Sequence, residues 1–313
     1  MKHIYNLNIN DIYENIKWGK LSSVVYAYVE ITNKCNSNCI YCQKGESNSL
    51  NMSFSDYVIL IDQLLKLNLF EIRLGGGEPL CDDGIIKKIE YARKKGFSVW
   101  VCTNGQLLTK KRCIELKSSG LLGVRISLDS LTPEIHNFSR GSEYSWFKTL
   151  QGIINAKQVG LEVIISMTVG KFNIDEIDKV NNFCKRLDLK FSTHFIMPVG
   201  KGKNSNFNEF DNSSLEKLIN NSYGEKHCVA GTEMISIDTY GNVSPCSFIK
   251  GIYNFKELEI IEIMKKNDFK KYLNPVPKNK CKDCFFKSKK TDCLLSDICK
   301  GGCWALYEES ITS

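Results

Sequence analysis

Between residues 24 and 197, short runs rich in Val, Ile, Leu or Phe alternate with longer amphipathic stretches. That alternation admits few folds, because it is the pattern of βα units built around a parallel sheet. Six strands are predicted: Val24–Ile31, Phe70–Gly75, Ser98–Cys102, Gly123–Leu128, Leu161–Val169 and Lys190–Ile196. Helical patterns fill the gaps at Ser55–Leu67, Asp83–Lys95, Thr109–Ser118, Tyr144–Val159 and Asn173–Leu187. Several open on a side chain suited to an N-cap, and glycines at 96, 120 and 160 sit where three of them must stop. Six units are too few for a closed eight-stranded barrel, so the α/β architecture on offer is a partial barrel or an open sheet.

A chain of 313 residues has room for such a domain and a smaller one. After Pro198 the texture changes to VGKGKNSNFNEFDNSS, polar and rich in glycine and asparagine, which reads as a linker. The expected division is a short extension over 1–24, the barrel over 25–198, a linker over 199–224 and a cysteine-rich domain over 225–313. A net charge of +7 is spread along the chain instead of being gathered into one block, so no nucleic-acid partner is expected. The N-terminus lacks the layout of a secretion signal and no apolar run reaches about 18 residues, so a cytosolic protein with no membrane partner is expected.

Fourteen cysteines in a reducing compartment point to metal or cluster ligation. Cys35, Cys39 and Cys42 follow the first strand directly, on the face where barrel-like folds build active sites. A four-iron cubane takes four ligands, so three thiolates leave one iron open, as a catalytic site requires. A zinc site with one remote fourth ligand uses the same residues. Seven more cysteines, Cys228, Cys246, Cys281, Cys284, Cys293, Cys299 and Cys303, crowd the last quarter. There Cys228 and Cys246 flank a predicted hairpin with its turn at Thr239–Asn242. A zinc ribbon has similar spacing. Cys102, Cys113 and Cys184 read as inert buried thiols, whereas Cys81 follows a glycine-rich loop at the expected active-site mouth and is a candidate hydrogen donor.

The CxxxCxxC segment resembles the signature of radical S-adenosylmethionine enzymes. Other residues agree with that family over 24 to about 197. Gly75-Gly76-Gly77-Glu78-Pro79 resembles its GGEP motif, whose backbone and carboxylate hold the methionyl amino group. Thr103-Asn104-Gly105 and Ser127-Leu128-Asp129-Ser130 resemble segments beside the cofactor's ribose. Arg140, in the following loop, matches an arginine set against the cofactor's carboxylate, and Tyr41 matches an aromatic near the adenine. From about 225 to 304 the cysteines resemble the family's SPASM extension, which carries auxiliary clusters. The gap of 14 residues between Cys284 and Cys299 is longer than usual and no cysteine follows Cys303. With Cys293 in the missing role there are seven ligands and two clusters, and one cluster with an open iron is the alternative.

The resemblance implies a 4Fe-4S cluster on Cys35, Cys39 and Cys42 that reduces bound S-adenosylmethionine. The resulting 5'-deoxyadenosyl radical takes hydrogen from an unactivated carbon, and one or two auxiliary 4Fe-4S clusters lie beyond. It implies an enzyme, a radical S-adenosylmethionine oxidoreductase, with a peptide substrate as in maturation of ribosomal peptides by thioether or carbon-carbon crosslinks or epimerisation. A reductant such as flavodoxin or ferredoxin is a further partner. Leader recognition would fall to a separate leader-binding protein or to the barrel, since about 24 residues precede the first strand. Sulfatase maturases place an aspartate after the hairpin's second cysteine, where this chain has Ser247. A small-molecule member of the family, and a non-catalytic electron carrier or zinc module, are the competing readings.

Overall fold

The computed structural model describes residues 24–44, 48–204 and 229–273. Six strands, β1 (Tyr26–Thr32), β2 (Glu71–Gly76), β3 (Ser98–Thr103), β4 (Gly123–Ser127), β5 (Glu162–Val169) and β6 (Lys190–Phe195), lie side by side in chain order and all run parallel. Helices α1 (Phe54–Leu65), α2 (Ile85–Lys94), α3 (Lys110–Ser118), α4 (Pro133–Arg140), α5 (Ser145–Gln158) and α6 (Ile177–Arg186) complete the βα units. Alternate strand residues point to opposite faces. One face carries Val29, Ile72, Leu74, Val101, Ile126 and Ile165, which share a core with Leu60, Leu64, Ile89, Leu116, Ile153 and Val180 of the helices. Each such side chain, fully buried, contributes about 1.5–3 kcal/mol. The other face is polar and carries Tyr26, Tyr28, Arg73, Cys102, Arg125 and Ser127.

Beyond β1 the sheet continues through β7 (Met234–Ile237), β8 (Asn242–Ser244) and β9 (Tyr253–Asn254). β7 runs parallel to β1, with Tyr26 beside Met234 and Val29 beside Ile237, while β8 and β9 are antiparallel. The cysteine-bearing hairpin thus extends the same sheet. Among the described residues β6 and β9 are the edges, so the barrel is partial and open. The hairpin link is 238–241, one residue earlier than expected. The Asp238 carboxylate accepts from the Tyr240 and Asn242 amides, each at 2.9 Å.

All five expected helices are present, and glycines 96, 120 and 160 take positive φ after three of them. The expectation that Arg140 lies in a loop needs correction: it ends α4, a helix the sequence reading passed over. Its signals were Thr132 at the N-cap position, Pro133 at the first helical position and Gly141 in the left-handed region just past the end. A Cβ at Gly141 would lie 2.3 Å from the Asn38 carbonyl oxygen, so α4 ends hard against the cysteine loop. Among the described residues no helix is long and apolar enough to cross a membrane.

Candidate active site

The chain leaves β1 at Thr32 into the loop that bears Cys35, Cys39 and Cys42, all half-buried. A loop with no ladder of its own must find partners for its backbone elsewhere. The Asn38 and Ile40 amides donate to the Arg140 and Ser139 carbonyls (both 3.1 Å), Cys42 donates to the Cys39 carbonyl (3.2 Å), and the Lys201 amide donates to the Cys42 carbonyl (2.9 Å). From β3's end, Asn104 Nδ2 donates to Asn36 Oδ1 (2.7 Å) and Gln106 Nε2 to Ser37 Oγ (2.7 Å). Three separate segments therefore hold the thiols in place.

The three sulfurs feel one another. Burial pushes the Cys35 thiol up to about 12, with Glu78, Cys39 and Cys42 adding to the effect. Cys39 is raised by burial, Asp129 and Cys42, against the opposing pull of Arg140, whose Nη1 lies 3.9 Å from its sulfur. Such thiols become thiolates only beside a strong positive charge, which a bound metal centre supplies. Among the described residues no three His, Cys, Asp or Glu side chains could hold a single metal ion together. A cubane asks for a different arrangement, each cysteine on its own iron. Three neighbouring thiols on one clamped loop fit that demand.

Asp129, just past β4, is the hub beside the loop. It is fully buried. Its Oδ1 accepts from Arg140 Nη2 (2.8 Å) and the Thr168 amide (3.0 Å), and its Oδ2 from the Tyr41 hydroxyl (2.5 Å) and the Ser139 hydroxyl (2.7 Å). Those four donors fill the carboxylate's acceptor positions. Burial pulls the Arg140 cation down, but Asp129, Tyr41 and Cys39 more than offset this and hold it above the ordinary range. Its guanidinium lies 5.6 Å over the Tyr41 ring, and its Nε is buried with no partner among the described residues. His136 supports the hub from α4, accepting the Asp129 amide at Nδ1 (3.2 Å). Asn173, expected as a helix N-cap, makes no cap bond: its Oδ1 accepts the Gly170 amide (2.8 Å) and its Nδ2 donates to the Asp129 and Thr168 carbonyls, both at 2.9 Å.

The glycine run ends β2 against the same loop. The Gly77 and Glu78 amides donate to the Thr32 and Lys34 carbonyls, both at 2.7 Å. Gly76 has φ +126, and a Cβ there would lie 2.2 Å from the Thr32 oxygen. Gly76 and Gly77 are thus required by the approach of the chain's own backbone, and Gly75 by the Tyr28 ring. The buried Glu78 carboxylate accepts from Leu80 N (3.1 Å) and Thr103 Oγ1 (2.7 Å) at Oε1, and from Asn104 N (2.7 Å) at Oε2. One acceptor position on Oε2 is unused among the described residues. Burial raises this carboxyl, and those three hydrogen bonds oppose the rise.

Cys35, Cys39, Cys42, Tyr41, Gly75, Gly76, Gly77, Glu78, Pro79, Asn104, Asp129 and Arg140 therefore converge on the C-terminal ends of β1 to β4. Ser127 ends β4 half-buried on the polar face. Cys81 closes a turn after Pro79; burial, then Glu78, raise it, and the Asn36 amide reaches it from the cysteine loop. Cys113 and Cys184 are buried, whereas Cys102 is half-buried on the polar face. Cys246 follows β8 at the level of Tyr26, the opposite end of β1 from Cys35. Cys228, Cys281, Cys284, Cys293, Cys299 and Cys303 lie outside the described residues. The sequence reading missed Ser139, His136, Thr168 and Asn173, which hold Asp129 and have no motif of their own; the only signal for the first two was the overlooked helix.

Residues 29–184 match the Radical SAM superfamily, and residues 228–285 match SPASM, an iron-sulfur cluster-binding domain. The AdoMet-dependent heme synthase of Methanosarcina barkeri is 24% identical over 84% of this chain and 89% of its own length. The GTP 3',8-cyclase of Petrotoga mobilis is 31% identical over 64% of this chain, which spans 66% of that relative. In fold, the chain resembles Streptococcus suis SuiB bound to its precursor peptide SuiA, with a TM-score of 0.73 at 16% identity, covering 97% of this chain and 76% of that one. With both matches falling on the cysteine segments and the clamped loop suited to a cubane, the chain belongs to the radical SAM superfamily, carries a SPASM domain, and takes S-adenosylmethionine and a 4Fe-4S cluster as cofactors.

Proposed function

We propose that this enzyme modifies a peptide, as in the maturation of a ribosomal peptide, by crosslinking or epimerising a residue. The observation that carries the reading is the extent of the likeness to SuiB, 97% of this chain and so well beyond the six-stranded barrel, in a protein crystallised with its precursor peptide. When bound, the cluster and S-adenosylmethionine supply a 5'-deoxyadenosyl radical for hydrogen abstraction. The chain's own residues bind and orient. Cys35, Cys39 and Cys42 are the cluster ligands. The Gly75–Gly77 backbone and the unused position on Glu78 Oε2 receive the cofactor's ammonium. Arg140 offers Nε to its carboxylate while Nη2 stays on Asp129 and Nη1 faces Cys39. The Ser127 hydroxyl faces the ribose and Tyr41 the adenine, with Asp129 acting through Tyr41 and Arg140. Asn104 and Pro79 shape the loops that carry these groups. Cys246, with Cys228, Cys281, Cys284, Cys293, Cys299 and Cys303, holds one or two auxiliary clusters. The domains divide near 198 and 225, and flavodoxin or ferredoxin is the reductant.

The test is anaerobic reconstitution, followed by S-adenosylmethionine, dithionite and candidate precursor peptides. Loss of two hydrogens from the peptide reports a crosslink, and deuterium uptake from solvent reports epimerisation. A second reading, a small-molecule substrate, is favoured by the 31% identity to a GTP 3',8-cyclase. It wins if the peptides stay unchanged while GTP is consumed.

A further inference from the structure

The polar face of the sheet carries charges that the cofactor site does not use. Arg73 on β2 pairs with Glu71 (Nε to Oε1, 2.5 Å) and lies 3.6 Å over the Tyr26 ring. Arg125 on β4 is half-buried and donates from Nη1 to the Ser192 hydroxyl at 2.9 Å. Among the described residues no carboxylate lies within ion-pair reach of Arg125. His194 shares this face, its Nε2 3.4 Å from the same hydroxyl. The His194 ring is exposed on this face, and desolvation by the surrounding protein, then Arg125 and Arg73, lower its pKa and favour the neutral ring. The same desolvation and the repulsion of Arg73 lower Arg125. Among the described residues of this face Lys44 pairs with Glu30, Lys190 with Glu162 and Arg73 with Glu71, which leaves Arg125 as the uncompensated positive charge.

The strand register says where that charge sits. Arg125 lies beside Cys102 of β3 and one pleat below Ser127, roughly 6.6 Å along the strand. The cysteine loop rises above the C-terminal ends, and Cys246 lies level with Tyr26 at the other end of β1. Arg125 therefore stands on the concave, polar face of the sheet between the two cysteine sites.

We propose that Arg125, oriented by Ser192 and flanked by Arg73 and His194, is a recognition site for a substrate carboxylate, so that the accepted peptide carries an aspartate or glutamate near the reacting residue. The proposal rests on the peptide reading above. A guanidinium fork matches a carboxylate through two parallel hydrogen bonds. A single surplus charge suits this monoanion and leaves a phosphate dianion half neutralised. A desolvated cation with no counter-charge also destabilises the free protein, and a carboxylate relieves that.

The experiment uses the full, anaerobically reconstituted enzyme with S-adenosylmethionine, and titrates acetyl-Ala-Ala-Glu-Ala-Ala-amide against its glutamine counterpart by calorimetry. The glutamate peptide is expected to bind about tenfold or more tighter, the range for a charge-assisted hydrogen bond. Arg125→Gln removes the preference and leaves the glutamine peptide's affinity where it was. Arg125→Lys, which keeps the charge and loses the fork, reduces the preference and serves if the first variant does not fold. Glutarate competes with the glutamate peptide better than inorganic phosphate does. Equal binding of the two peptides, or a preference unchanged in both variants, overturns the site and leaves the peptide reading standing. Stronger competition by phosphate overturns the carboxylate assignment. Glutarate binding that Arg125→Gln abolishes, with neither peptide bound, supports the site and removes the peptide reading.

Discussion

The Asp129–Arg140 pair predicts its own energetics. Both side chains are buried, Asp129 fully and Arg140 at 6% exposure, and their 2.8 Å contact holds the end of α4 beside Cys39. Asp129→Asn keeps the shape, but leaves the guanidinium uncompensated and puts an amide donor among four donors. Breaking a buried ion pair by removing one partner costs about 3–5 kcal/mol. At roughly 2–4 °C per kcal/mol for a chain of this size, the thermal midpoint falls by about 10 °C. Arg140→Met strands the carboxylate and costs a comparable amount. The double variant strands neither charge, so its loss falls short of the sum of the two singles by about 3 kcal/mol. Anaerobic denaturant titration of the four reconstituted proteins measures the cycle. Additivity within about 0.5 kcal/mol would refute the coupling, and a single-variant loss under about 1 kcal/mol would refute the burial argument behind it.

Other sites give sharp contrasts. Gly76→Ala meets both a positive φ and the Thr32 oxygen at 2.2 Å, whereas Gly160→Ala meets a positive φ with nothing within 4 Å. The first should cost more than about 3 kcal/mol and reduce bound iron, and the second about 1 kcal/mol with iron unchanged; equal losses by thermal melt would contradict the packing of β2 on the cysteine loop. Burial and Arg140 bring His136 down to about 4, against the opposing pull of Asp129, from an ordinary 6.5. The unfolded chain therefore takes up that proton first, and stability present above pH 6.5 is lost as pH falls toward 4, by about 2 kcal/mol at pH 5. His136→Asn, which keeps an acceptor for the Asp129 amide, should flatten the pH dependence relative to the native protein; parallel curves would count against a neutral His136. Lys88 and Asp82 form a buried pair at 2.5 Å, just after the turn that closes at Cys81. Lys88→Met should cost about 3 kcal/mol yet leave 5'-deoxyadenosine formation per bound iron unchanged, and a selective loss of that activity would argue against a purely structural role.

Much of the fold was legible because it rests on short-range rules. The short apolar runs and the glycines at 96, 120 and 160 each report a local preference, and the observed strands from Tyr26 to Phe195 follow them. α4 escaped notice because it is short, eight residues of which five are polar or charged, although Thr132, Pro133 and Gly141 marked both ends. Asn173 misled for a related reason: the oxygen that would accept a cap bond accepts the Gly170 amide instead, while its nitrogen donates to the Asp129 carbonyl.

By itself the sequence determined the βα order, the trio of thiols at the first strand's end and the polar motifs that close the next three strands, since each is a matter of neighbours along the chain. Only the tertiary structure decided that Asp129 is a saturated hub, that the glycine run answers to Thr32 and Lys34, that Cys246 lies at the far end of β1, and that Arg125 faces the concave wall with no carboxylate beside it among the described residues. Those facts depend on strand register and on groups from different elements meeting in space, where hydrogen bonds and desolvation are settled by proximity that no local pattern encodes.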